Sequence, residues 1–282
     1  MKQYKILYNP KAGGGTGAER TRQLEQLLSD ADLSFYDLTA EADLPALLAS
    51  FPADAGIVLC GGDGTLNCFV NAIDRLPEQE LLYYATGSGN DFCADVGHKT
   101  GDPPFPIKQY LKELPTVAVG GVRRRFINGI GYGIDSYCCE EGDRQREKTA
   151  KPVNYAGIAV KGLLFHYRPT EAIVSVDGAA RTFHRVWLAP TMVGRHYGGG
   201  MIPTPAQQRG SGVVSLMVLH GSRKLKTLMV FPSIFKGEHV SHTEMVSVAT
   251  GRDITVAFDR PVALQIDGET IPGVTGYHVM AG

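Results

Sequence analysis

Three glycine-rich stretches hold the side chains best placed for chemistry: "NPKAGGGTG" at residues 9–17, "GGDGT" at 61–65 and "TGSGNDF" at 86–92. Glycine lets a ligand come close to the backbone. The N–H groups at a strand-to-helix turn favour an anion there, most often phosphate. Asp63 does not fit such a turn unaided. Phosphate repels a carboxylate unless a metal ion bridges the two or the acid takes part in proton transfer. An Asp-Gly pair also makes an ordinary tight turn, which is the plainer account of "GGDG" standing alone.

The flanking pattern says which elements position these loops. "GIVLC" is a continuous apolar run suited to a strand buried on both faces. Leu66, Phe69, Val70 and Ile73 recur at helical spacing, so a helix is expected near Thr65 with that hydroxyl as its cap. From residue 4 to about 115 strands and helices alternate: "YKILYN", a helix carrying Leu24, Leu27, Leu28 and Ala31, "SFYDL", a short helix at 44–48, "GIVLC", the Thr65 helix and "LLYYA". That order predicts a parallel sheet with helices on both faces and ligands off the carboxyl ends of its strands, where all three loops fall.

After "PPFPIKQYLKELP" the runs become short and alternating, from "TVAVGGV" to "VALQID", as in an antiparallel sheet or sandwich. The expected fold class is α/β plus all-β. A nucleotide-binding domain with a parallel sheet spans 1–116, and an antiparallel β-sandwich domain that binds the acceptor spans 117–282. The cleft between them is the expected site. A charged stretch at 140–151 is expected to be solvated and to lead into a helix around 155–167.

Composition narrows the function classes. The 282 residues are 43% hydrophobic and 20% charged, enough for two cores and too apolar for disorder. A net charge of −1 gives no electrostatic reason to expect nucleic acid as a partner. The chain opens on a strand pattern, so no secretory signal is expected, and no run is long enough to span a bilayer as a transmembrane segment. Five cysteines without CxxC or Cys/His spacing suit a reducing, cytoplasmic compartment. His239 and His242 are expected on a surface loop, and "RRR" at 123–125 at a solvated junction. "LKTLMVFPSIFK" at 225–236 reads as a core helix in preference to one lying on a membrane.

One rival motif needs weighing. Gly13, Gly15 and Ala18 fit G-x-G-x-x-A, with Asp37 at a distance suited to a ribose hydroxyl, so a Rossmann-type NAD(P) oxidoreductase is an alternative. Against it, "NPKA" displaces the sharp turn from the strand, and the other two loops stay unexplained. The P-loop pattern G-x-x-x-x-G-K-[ST] does not occur.

Taken in order, "NPKAGGG", "GGDGTLN" and "TGSGNDF" resemble the catalytic domain of the diacylglycerol kinase family, bacterial lipid kinases related to sphingosine and ceramide kinases. "YAGIAVKGLL", "GGGMIPTPA", "FKGEH" and "DGE" continue the likeness over nearly the whole chain. The resemblance implies an ATP-dependent kinase acting on a hydroxyl of diacylglycerol or a related lipid at the membrane surface, hence a cytoplasmic protein that is peripheral at the membrane. It places Gly61, Gly62, Asp63, Gly64, Thr65 and Asn67 around the nucleotide phosphates. Asn9, Pro10, Lys11, Gly13 and Thr39 are implied as further nucleotide contacts, with Ser88, Asn90 and Asp91 in the third loop, Ser88 standing for the family's usual Thr.

Asp63 and Glu269 of "QIDGET" are the implied catalytic residues, Glu269 as general base. Asp-Gly is also a common hairpin turn, and Asp177 of "VDGAA" makes one to which no function is assigned. Mg²⁺ is expected with the nucleotide. The family's structural Mg²⁺ site is built on an aspartate where this chain has Ser211, beside Arg209, so that second metal is expected to be absent. The usual Pro before the third loop is missing, and the chain stops soon after "GYHVMAG", whereas relatives continue. A member that binds nucleotide or lipid without turnover is the other alternative, and a homodimer is left open.

Overall fold

Buried apolar runs build the sheet of the first of two units, Met1–Lys112 and Glu113–Gly282. The computed structural model describes residues 1–148 and 155–282, the side chains at 146, 147 and 156 aside. Strands β1 (Gln3–Tyr8), β2 (Asp32–Asp37), β3 (Gly56–Gly61) and β4 (Leu81–Ala85) are parallel, and β5 (Phe105–Pro106) adds an antiparallel edge, in the order β2-β1-β3-β4-β5. Every residue of β3 and β4 is buried, as a continuous apolar run requires of a central parallel strand. Ile57, Val58 and Leu59 are fully enclosed, each such side chain contributing about 1.5–3 kcal/mol of burial.

Two local expectations give way to tertiary context. The helix expected to carry Leu24, Leu27, Leu28 and Ala31 is broken into Gly17–Arg22 and Leu24–Leu27, and only Leu24 is buried while Leu27 is exposed. The helix expected to be capped by Thr65 runs Asp63–Ala72 instead, with Gly62 as an extended N-cap and no side-chain cap bond.

Among the described residues of the second unit ten strands pair antiparallel: β6 (Thr116–Val119), β7 (Val122–Arg125), β8 (Gly129–Tyr132), β9 (Thr170–Val176), β10 (Ala179–Val186), β11 (Thr191–Met192), β12 (Val214–Leu219), β13 (Val246–Gly251), β14 (Asp253–Ile266) and β15 (Glu269–Met280). The long β14 makes the sandwich. Its first half, Ile254 to Phe258, pairs with β9, and after register shifts its last residues, Leu264 to Ile266, pair with β8. A strand that changes partners across a bulge turns one hydrogen-bonded sheet into two facing layers. Phe126, Tyr132, Phe183, Val256 and Tyr277 fill the space between.

The charged stretch falls in a helix, Ile134–Lys148, where Arg144 bridges Glu140 and Glu141 one turn away; residues 149–151 lie outside the described residues. His239 is not on a surface loop. It is buried, with Nε2 within 2.9 Å of the Pro203 carbonyl, and burial lowers its pKa. No helix among the described residues is long and apolar enough to cross a membrane.

Candidate functional site

In a 2-1-3-4 strand order, β1 and β3 send their following loops in opposite directions around the sheet, and ligands bind at that switch point. Residues 9–17 follow β1, 61–65 follow β3 and 86–92 follow β4. The three loops are tied to one another. Asn9 Nδ2 donates to Thr65 Oγ1 at 3.1 Å. Asp63 accepts the Asp91 N–H on Oδ2 at 2.8 Å and the Phe92 N–H on Oδ1 at 3.0 Å, so its carboxylate caps the Asp91–Asp95 helix from the neighbouring loop. Arg20 Nη1 lies 3.3 Å from both the Thr86 and Gly87 carbonyl oxygens.

Close backbone approach explains two of the glycines. A Cβ on Gly87 would sit 2.4 Å from Gly62 Cα, and one on Gly13, at φ +60°, would sit 2.5 Å from the Thr86 carbonyl oxygen. Asn90, itself left-handed at φ 50°, donates from Nδ2 to Gly87 O and Thr100 Oγ1, each at 2.8 Å. Its Oδ1 and the hydroxyl of Thr86 are buried without a hydrogen-bond partner. Lys11, Gly64 and Ser88 are exposed at the rim, and Pro10 is half-buried.

Two further expected nucleotide contacts make local bonds. The Thr39 N–H and hydroxyl both donate to Asp37 Oδ1 at 2.8 Å. Asn67 is buried along its helix, with Oδ1 accepting from Asn71 Nδ2 at 3.3 Å.

In the second unit Asp267 and Gly268, at φ 47° and 91°, form the two-residue turn between β14 and β15. Asp177 and Gly178, at φ 49° and 83°, do the same between β9 and β10. The parallel extends to the carboxylates. Asp177 Oδ1 accepts from the N–H of Arg252 and of Asp253, and Asp267 accepts from the N–H of Ile127, Asn128 and Gly129. The aspartate of "DGE" thus does the architectural work of a turn with no assigned function. Glu269, two residues on, is 60% exposed and its Oε2 meets Arg124 Nη2 at 2.7 Å. Arg124 is therefore paired and largely covered, and not part of a solvated junction. Arg209 donates to the Ile127 carbonyl and, at 3.1 Å, to Asn128 Oδ1, while the Ser211 hydroxyl turns to Val213 O.

Two residues, one in each unit, carry no signal in the sequence. Arg20 is an unremarkable surface cation until the third loop folds against it. Asp135, at the start of the Ile134–Lys148 helix, is a buried carboxyl that accepts the Tyr197 hydroxyl at 3.0 Å. Burial pushes its pKa up from 3.8 to about 6. The folded state then holds this proton more tightly than the unfolded chain, so the group's contribution to stability falls as pH rises from about 4 through about 6. Asp135→Asn, which keeps an acceptor for Tyr197, should be more stable than the parent at neutral pH by about 2–3 kcal/mol and lose that advantage below about pH 4. Urea denaturation of both proteins across that range checks this, and parallel curves would refute it.

Residues 3–121 match the family model described as the diacylglycerol kinase catalytic domain, and residues 128–279 match the YegS C-terminal NAD kinase beta sandwich-like domain. A protein named diacylglycerol kinase from Mycobacterium tuberculosis is 26% identical over 277 residues, covering 93% of this chain and 87% of its own. Another of that name from Bacillus subtilis is 25% identical, covering 95% and 90%. The crystal structure of a diacylglycerol kinase from Bacillus anthracis superposes with a TM-score of 0.62 at 16% identity, over 100% of this chain and 94% of that one. With the YegS C-terminal model on more than half of the chain, the diacylglycerol kinase catalytic-domain model on most of the rest and relatives aligned along nearly its whole length, the chain belongs to the diacylglycerol kinase/lipid kinase family that these two domains define.

Proposed function

We propose that this kinase-family member transfers the terminal phosphoryl group of ATP to a hydroxyl of diacylglycerol or a related lipid. The observation that carries the reading is the web in the first unit, in which Asp63, Asn9 and Arg20 lock three loops together at the carboxyl ends of β1, β3 and β4. Phosphoryl transfer asks a protein mainly to position groups and offset charge, and loops held before the ligand arrives do that at little further entropic cost.

The residues fit a phosphate chain. A Cβ built on Gly64 would meet nothing within 4 Å, which leaves room for an anion beside the first turn of the Asp63–Ala72 helix, and Gly14 and Gly15 of the first loop are equally open. Mg²⁺ held with the nucleotide would supply the charge neutralisation that lets the phosphoryl group move. On the second unit, Glu269 would accept the proton of the attacking hydroxyl, with Arg124 setting the direction of its carboxylate. Mg²⁺ is proposed to enter only with the nucleotide. Where a second cation would sit, the Arg209 guanidinium already meets Ile127 O and Asn128 Oδ1, and Ser211 offers no charge. The NAD(P) reading is less well supported, because the Asp37 carboxylate is turned onto Thr39.

The test is incubation of the protein with terminally labelled ATP and vesicles carrying, in turn, diacylglycerol, ceramide or another lipid alcohol. Label should pass to a lipid and should require Mg²⁺. Calorimetric binding of ATP with no label in any of these lipids would leave a protein that binds without turnover.

A further inference from the structure

The segment read as a core helix is core on one side only. In the second unit the Tyr155–Lys161 helix, the single π turn Gly162–His166, the Lys224–Val230 helix and the tight Phe231–Lys236 turn bury Ala159, Leu163, Val230 and Ile234. Their other side leaves large apolar side chains in water: Phe165 is 72% exposed, Leu225 70%, Met229 67% and Phe235 48%, with Leu164 at 39%. Leu225 and Met229 lie one helical turn apart. Lys224 Nζ donates to the Leu164 carbonyl at 3.0 Å, which ties the π turn to the start of the next helix. One exposed Leu needs no explanation, but a contiguous group of this size marks a surface that meets something apolar.

The charge around it says what. Residues 155–169 and 223–237 contain no Asp or Glu, yet carry Lys161, Arg168, Arg223, Lys224, Lys226 and Lys236. Lys226 is neutralised by Glu244 at 2.7 Å. Lys161, Lys224 and Lys236 are exposed beside the apolar side chains. An apolar patch rimmed by long cationic side chains suits the boundary between acyl chains and anionic headgroups, where a lysine stem lies along apolar material and its ammonium meets phosphate.

We propose that this face docks the protein on an anionic lipid bilayer. The inference rests on the reading that the acceptor is lipid-borne, and it names the surface by which the enzyme would reach that lipid. Co-sedimentation of the full chain with vesicles tests it, using phosphatidylcholine alone or phosphatidylcholine with phosphatidylglycerol, without ATP and without diacylglycerol. Docking is then read independently of turnover. The parent should bind the anionic vesicles, and added salt should weaken binding. The double variant Phe165→Ser, Met229→Ser should bind at least about tenfold more weakly, and Lys161→Gln with Lys236→Gln should lose most of the preference for anionic lipid. Equal sedimentation of parent and double variant, or no binding by the parent, would overturn docking while leaving lipid phosphorylation in detergent unaffected. A parent that is dimeric by equilibrium sedimentation, with a monomeric Phe165→Ser, Met229→Ser variant, would also overturn it by assigning the face to a second copy.

Discussion

Replacing Asp63 by Asn is expected to abolish phosphoryl transfer while the chain still folds. The carboxylate offers one oxygen to the Asp91 N–H and the other to the Phe92 N–H. An amide can accept only one of these bonds and turns an NH₂ donor toward the other, so the tie between "GGDG" and "GNDF" is broken on one side and opposed by two facing donors. The stability cost should be about 1–2 kcal/mol, since the group is only partly buried. The catalytic cost should be larger, at least about 10²-fold, because displacement of a donor loop by an ångström misplaces the reacting phosphoryl group, and loss of the charge also removes any interaction with metal or proton. Single-turnover kinetics with chemical denaturation separate the two effects. Near-parental turnover in Asp63→Asn would reduce the residue to a turn former.

Glu269→Gln should lower turnover by roughly 10²-fold with nucleotide affinity little changed, if the carboxylate is the base. The variant keeps the shape of the side chain and a hydrogen bond to Arg124 but cannot hold the proton. Its fold should be intact, because the side chain is 60% exposed and the turn before it is held by Asp267. Affinity for ATP, measured by calorimetry in the same variant, discriminates the roles: an equal loss there would make Glu269 a metal or nucleotide ligand. Asp267→Asn supplies the contrast. It should act through stability, as Asp177→Asn should, since each carboxylate accepts neighbouring backbone N–H groups.

What the sequence determined by itself is what a few neighbouring residues can encode. The apolar run 56–60 reads as a strand buried on both faces, the glycines of 61–64 as a strand-to-helix junction, and the Asp-Gly pairs at 177 and 267 as tight reversals, and each forms so, whereas the third such pair, Asp63-Gly64, opens a helix. The order of such elements set the α/β and β-sandwich division and put the three loops at the carboxyl ends of their strands. Tertiary structure alone decided what the polar side chains do there. Asp63 reads as a metal or proton residue from its loop, yet its partners lie 28 and 29 residues away; Asp267 reads as a turn, yet it holds a strand some 140 residues earlier. His239 is buried and one side of residues 225–236 is bare because of segments that pack, or do not pack, against them from elsewhere. Periodicity is a property of adjacent positions, whereas a hydrogen-bond partner and a buried face are properties of chain segments brought together only by folding.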